Sequence, residues 1–382
     1  APQAKAANLY WDNDATASGN NASTGVGLGI GGAWGATDAK WFDGTNDVTW
    51  TDANKDTANF IGTGGTVTLG SSFTVGGLVF AATGFELTGD TITLAKTGAD
   101  GASVITVGQG NYLTGTATRA VITTTLASEA GVGLTKAGNG SLVLGATSNT
   151  YSGMTSIKGG VLAITSPSQL GTSTGTIAVF GSSATGFESG SLMLHGGAVS
   201  GVGQTFAREL SLAGRGNNTI GIGALISIGN NTFTGDIVTS SSTETRITAS
   251  AGTTTLAGRL FMGGASQVPY FYGPGNFVLS GQVVGGTPRA VRRVVIHQGY
   301  NTPPLEMVDS ALKSGDWGAF FEFISSSDDL ALIHLAEPVS DVAPVPIYNG
   351  PSLGKVVLIM GRGATGTGSE GHTLNAPRRT DL

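Results

Sequence analysis

The sequence predicts an all-β solenoid, in which short strands and tight turns stack coil upon coil around one continuous core. Composition points there first. The chain has 63 glycines in 382 residues, 12% charged residues and 40% apolar residues. That mix fits neither an ordinary α/β domain, nor a coiled coil, nor a disordered polyampholyte. The second observation is the cadence of the apolar runs. In residues 133–164 they are Leu142-Val143-Leu144, Ile157 and Val161-Leu162-Ala163-Ile164, separated by Gly, Asn, Ser and Thr. Each run is too short for a helix and each break is a turn. Third, the glycines follow no strict three-residue period, which removes collagen, while stacked coils of this kind bury a shared core. A chain of this length has room for two or three domains.

Residues 1–60 differ from the rest of the chain. They hold four of the five tryptophans, Trp11, Trp34, Trp41 and Trp50, and seven Asp with no Glu. Beside a solenoid this reads as an N-terminal aromatic cap, because the end of a coil stack exposes unpaired strand edges and apolar rungs that bulky rings can cover. The same four indoles are the candidates for ligand stacking, since a flat indole face suits a sugar ring, and surface carbohydrate is the partner this implies. Asp12, Asn13 and Asp14 with Gly19 and Asn20 lack the closing glutamate of a calcium loop. The run Gly25 to Gly32 reads as a glycine-rich corner and not as a dinucleotide fingerprint.

From 61 to 287 the strand-and-turn cadence continues through Thr66–Leu69, Leu78–Phe80, Phe85–Leu87, Thr91–Leu94, Ser191–Leu194, Leu225–Ile228 and Phe277–Leu279. Only 16 of these 227 residues are charged, as expected for buried ladders of Val, Ile, Leu and Phe with small polar residues outside. Gly229 to Gly235 reads as a degenerate copy of Asn149 to Gly153, with Phe233 in place of Tyr151. The acids are scattered. Glu86 and Asp90 are near each other in sequence, but Asp90 follows Gly89 at a turn, so a carboxylate-pair hydrolase is not predicted.

The series Leu134, Lys136, Gly138, Gly140, Leu142, Leu144, Gly145, Asn149, Tyr151, Gly153, Thr155, Ile157, Gly160 and Leu162 resembles the passenger-associated repeat of bacterial autotransporters and related large secreted proteins. The resemblance implies a right-handed parallel β-helix, secreted to the bacterial cell surface or beyond. It implies no chemistry. Leu142, Leu144, Ile157 and Leu162 are expected to point inward and stack on the adjacent coils.

Composition breaks near residue 288. The last 95 positions carry 8 of the 12 prolines and 18 charged residues, giving an expected division into a cap region at 1–60, a β-helix repeat domain at 61–287 and a third segment at 288–382. In that segment Val294–Asn301, Asp328–Val339, Val342–Ile347 and Gly354–Gly363 resemble, in order, the middle third of trypsin-like serine proteases. The resemblance implies a β-rich segment similar to part of a chymotrypsin-fold barrel. It places Asp329 at the triad aspartate, and Gly361-Arg362-Gly363 where the family usually has Gly-Trp-Gly. The histidine and serine elements of the family are missing. His297, His334 and His372 do not fall at the base position. A triad needs base, orienter and nucleophile together, so no complete catalytic site is present and the chain is not expected to be an enzyme.

A net charge of −6 argues against nucleic acid as a partner, which needs clustered Lys and Arg. No run of apolar residues reaches the length of a transmembrane helix. The absence of cysteine removes disulfides, thiol nucleophiles and Cys-ligated zinc, and no cofactor or metal motif is recognisable. The opening APQAKAAN has neither a charged n-region nor an apolar h-region, in keeping with a signal already removed. The expected function is that of a secreted cell-surface or extracellular structural or adhesin-type β-helix. Its free strand edges leave self-association open, end to end or by strand addition. The alternatives are an inactive remnant or fragment of a trypsin-like protease fused to a passenger, and a carbohydrate-binding surface protein.

Overall fold

The computed structural model describes residues 6–96, 101–108, 118–181, 189–196, 203–217, 223–239, 245–262 and 269–284, the strands 291–296, 331–335, 356–358, 364–365, 373–374 and 379–381, and Met307, Ser310 and Ala319. The backbone visits three faces in a fixed order at each turn. One early turn runs through Thr57–Phe60, Thr66–Leu69 and Phe73–Val75 on the first, second and third faces, and the next through Gly77–Phe80, Phe85–Gly89 and Ile92–Leu94. The last described turn runs through Leu260–Met262, Pro269–Tyr272 and Asn276–Leu279, and Val283–Val284 opens another. The first face is a 13-stranded sheet and the second a 10-stranded sheet, while the third carries a 3-stranded and a 4-stranded sheet. From coil to coil the strands pair parallel, so this is a parallel β-helix, and parallel crossovers of this kind are right-handed as a rule.

Alternation along each short strand fixes what is buried. On the second face Phe85, Ala120, Leu142, Leu162, Leu192, Leu225 and Ile247 follow one another in register, and each is 0–1% exposed. Leu142, Leu144, Ile157 and Leu162 are all inside, as the sequence leads one to expect. Each coil is narrow, so corners run close together. Gly160 shows why a glycine is required: its φ is +66°, and a Cβ there would strike the Gly140 carbonyl and the Lys136 ammonium.

The expectation of small polar residues outside needs correction on the second face. Its outward row reads Val121, Val143, Ala163, Met193, Ile226, Thr248. Ala163, Met193 and Ile226 are 6%, 2% and 2% exposed although they point away from the solenoid core. The neighbouring outward row holds Val161 and Ser191, also buried. Asn217, which follows the strand Leu210–Leu212, reaches over the row of Ser191. There the Asn217 N–H donates to Ser191 Oγ at 2.9 Å, and Asn217 Nδ2 donates to the Asn139 carbonyl at 2.8 Å, across several coils. Strand alternation assigns these outward positions to water, and in the fold they are buried.

At the N-terminal end an antiparallel hairpin, Trp41–Phe42 with Asp47–Val48, pairs with the edge of Asn8–Trp11. The described residues divide into two compact units, the first holding 1–288 with 295–331 and the second 289–294 with 332–382. The strands beyond 288 form 2-stranded sheets. Val356–Leu358 pairs antiparallel with Arg379–Asp381, and Ala364–Thr365 with Thr373–Leu374. Among the described residues these strands close no barrel, since a barrel needs each strand paired on both sides.

The buried outward row gives a discriminating test. Leu144→Asp buries an unpaired charge and is expected to cost about 3–5 kcal/mol. Met193→Asp, which strand alternation alone would allow, is expected to cost a similar amount. Urea unfolding followed by circular dichroism checks both, and a Met193 variant as stable as the parent would mean that this position is open to water.

Candidate functional site

Two places in the solenoid concentrate polar chemistry. The first is the closed end. Trp11, Trp34, Trp41 and Trp50 are 0%, 1%, 0% and 5% exposed. Their rings meet edge to face or tilted, with centroids 5.4 Å apart for Trp11–Trp41, 4.6 Å for Trp34–Trp41, 5.1 Å for Trp34–Trp50 and 4.8 Å for Trp41–Trp50, the arrangement favoured by the ring quadrupole. Trp34 also stacks on Phe73 at 4.4 Å. No indole face at these positions is open to a sugar, which corrects the stacking expectation: the rings pack on one another inside the first described coil.

Side chains also complete backbone edges at this end. The Asp52 carboxylate accepts from the Thr74 N–H at 2.9 Å and Trp50 Nε1 donates to the Thr74 carbonyl at 3.1 Å, so both edge groups of the first third-face strand are met. Lys40 Nζ donates to the Ala33 carbonyl at 3.3 Å on the second-face edge. Trp11 Nε1 donates to the Ile30 carbonyl at 2.8 Å, whereas the Trp34 and Trp41 N–H groups have no acceptor. Asp12 is 1% exposed and accepts from Asn20 Nδ2 at 2.6 Å and from the Asp14 N–H at 3.2 Å. Burial, then the charge of Asp12 and a hydrogen bond to it, push the Asp47 carboxyl up to about 6, against an opposing bond from the Ala17 backbone. This carboxyl pair was not foreseen in the sequence, because the hairpin that brings Asp47 to Asp12 is a tertiary feature. Among the described residues no cluster of three or more His, Cys, Asp or Glu is placed to hold a metal ion.

The second place is the repeat itself. Lys136 falls in an inward row, paired in register with Ile105 on one side and Ile157 on the other, and is 0% exposed. Its Nζ donates to the carbonyls of Ala137 at 2.7 Å, Gly138 at 2.8 Å and Gly159 at 3.0 Å. Three carbonyls match the three N–H groups of an ammonium, and the bond to Gly159 ties one coil to the next. Burial nonetheless pushes its pKa down to about 7. Arg208 uses the same device further along, with Nε and Nη2 on the Gly175 carbonyl at 3.0 and 2.8 Å and Nη1 on the Leu170 carbonyl at 2.8 Å.

On the third face the strand ladder is interrupted between Leu126–Ser128 and Thr205–Phe206, and side-chain amides take over. Asn149 Oδ1 accepts from the Leu126 N–H at 2.8 Å, while its Nδ2 donates to the Gln169 carbonyl at 2.7 Å. It thereby stands in for a peptide group between two coils. Gln169 Nε2 donates to the Ala146 carbonyl at 2.6 Å, and its Oε1 accepts from the Thr165 N–H at 2.7 Å. The Tyr151 hydroxyl bonds Thr155 Oγ1 at 2.8 Å inside the core, where burial pushes the phenol pKa up. Asn231 and Phe233, the copied positions, are likewise buried at 0% and 1%, and Asn231 Oδ1 accepts from the Gln204 N–H at 3.0 Å.

Elsewhere, Asp90 is exposed and bonds Ser72 and Thr91 rather than Glu86. Asp329, His297, His372 and Gly361 to Gly363 lie outside the described residues, as does the His334 side chain. No helix among the described residues is long and apolar enough to cross a membrane.

The family model of the passenger-associated-transport-repeat matches residues 134–164, which span Lys136, Asn149, Tyr151, Thr155 and Gly160. The chain is 40% identical over 177 residues to the adhesin BmaC autotransporter of Brucella suis biovar 1 (strain 1330), an alignment covering 44% of this chain and 4% of that protein. The chain thus spans a small part of its relative. No solved structure matches. These similarities support the passenger-repeat reading, and neither supports the trypsin-like reading of residues 289–382.

Two pH effects are expected. Lys136 has a folded pKa of about 7 against an ordinary 10.5, so the unfolded chain holds this proton more tightly. Stability is expected to rise as pH climbs from about 7 to about 10.5. Lys136→Met is expected to flatten that rise and, by leaving carbonyls without donors, to lower stability by on the order of 3 kcal/mol at neutral pH, as read by urea unfolding across the pH range. Asp47 has the opposite sign. Its folded pKa is raised from 3.8 to about 6, so its contribution is intact below about 4 and is lost as pH rises to about 6. Asp47→Asn is expected to remove this slope in thermal melts, and an unchanged slope would show that the pair does not share a proton.

Proposed function

We propose that this chain is a stretch of a secreted passenger, a stiff and weakly charged β-helix that stands at the bacterial cell surface as an adhesin-type binding scaffold and carries out no catalysis of its own. The observation that carries the reading is the coincidence of two things. The repeat match falls on the coils whose interior is held by Lys136, Asn149 and Gln169, and the chain is similar over 177 residues to an adhesin autotransporter. A coil stack suits this role because strands paired above and below give a long rigid body without needing disulfides. In this reading residues 1–60 close the solenoid, 61–287 form its body and 288–382 are a separate segment. A carbohydrate partner would have to bind away from the four buried tryptophans. The protease-remnant alternative rests on the order of residues in 289–382 alone.

The test is display. The chain is placed between an export signal and an outer-membrane β-barrel in a Gram-negative host, and intact cells are probed with antibody and applied to epithelial monolayers. Surface labelling with several-fold more adherent cells than the barrel alone is expected. Labelling without added adherence would sink the adhesin role, and a chain retained inside the cell would sink the passenger reading.

A further inference from the structure

The two ends of the described solenoid are unlike. At the first coil the open strand edges are met by the antiparallel hairpin Trp41–Val48, by Asp52 and Trp50 on Thr74, and by Lys40 on Ala33. At the other end, among the described residues, Pro269–Tyr272, Asn276–Leu279 and Val283–Val284 are the outermost strands of their sheets, each with a parallel partner on one side only.

Two inward rows end here, among the described residues, in partly exposed apolar side chains. On the second face the row that holds Leu192, Leu225 and Ile247 at 0% exposure ends in Phe271 at 38%. On the third face the row of Phe206, Phe233 and Leu256, 0–2% exposed, ends in Leu279 at 44%. Val278 beside it is 45% exposed, and Phe271 and Phe277 meet edge to face at 4.9 Å. Natural sheet edges that face water are blunted by lysines, prolines, bulges or short length. These strands read PYFY, NFVL and VV and carry no charge, and Pro269 stands only at a strand start.

We infer that this end is an acceptor for one further parallel β-coil: an extended polypeptide segment with apolar residues at alternate positions. It adds strands to Pro269–Tyr272, Asn276–Leu279 and Val283–Val284 in the register by which each coil sits on the one before. The argument for that occupant is continuity, since successive coils pair this way along the whole of the first and second faces, and on the third face from Thr205–Phe206 onward. A second copy joined head to tail is a poor occupant, because its own first coil presents a hairpin and buried tryptophans where parallel edges would be needed. Growth is therefore polar, which narrows the end-to-end association that free edges suggest in the sequence. The inference rests on the fold and stands apart from the adhesin reading.

The experiment uses the full chain and a fluorescein-labelled synthetic peptide reproducing residues 260–284, the coil whose register the incoming segment would repeat. Hydrogen exchange at 276–279 and 283–284 is expected to be fast in the chain alone and at least tenfold slower with the peptide, with saturable binding by anisotropy. Leu279→Asp in the chain, at an exposed position that leaves the circular dichroism unchanged, is expected to weaken binding at least tenfold. A scrambled peptide that binds equally well would overturn the inference. So would slow exchange at these amides without peptide: a monomer in light scattering would then assign the cover to the chain's own remaining residues, and a dimer to a second copy.

Discussion

The backbone ladder between successive coils is the interaction on which the rest of this molecule depends. A strand of three to five residues buries too little to stand alone, and it persists because the coils above and below accept and donate all of its edge hydrogen bonds. This requirement explains features that look unrelated. It forces corners narrow enough that backbones nearly touch, as at Gly160 over Gly140. It also demands a substitute wherever the ladder breaks, and the carboxamides of Asn149 and Gln169 supply one.

Buried and half-buried polar side chains of the solenoid also serve the ladder. Lys136 and Arg208 direct their N–H groups to corner carbonyls, where a helix would have used a cap. A cation buried without a carboxylate is costly, and the depressed pKa of Lys136 records that cost. The bonds it makes to two successive corners offset it. In this chain the matched stretch 134–164 thus includes a clamp between coils.

The same requirement makes the two ends of the described stack unlike its middle. One end is closed by rings and by side chains that imitate peptide groups, and it also holds the Asp12–Asp47 carboxyl pair. The other keeps apolar rows running to its edge. Between them the outward row of the first face mixes Val104, Ala178, Val238 and Phe261 with Thr135, Ser156 and Ser211, while on the second face Ala163, Met193 and Ile226 are buried. Surface for a partner is accordingly uneven around the solenoid.

The sequence by itself determined the period. Short apolar runs between glycines set strand length, alternation set which of Leu142, Val143 and Leu144 faces inward, and the likeness of Asn149–Gly153 to Asn231–Gly235 located equivalent buried positions on the third face. These are local properties, readable within a few residues. Only the tertiary structure decided what depends on which coil lies over which. It put four tryptophans inside, where their rings pack on one another edge to face or tilted. It placed Lys136 in an apolar row, carried Asp47 to Asp12 through a hairpin and laid the segment around Asn217 across an outward row that alternation assigns to water. The physical reason is that a strand's pattern records two faces but not what arrives to cover them, and that cover comes from residues several coils away.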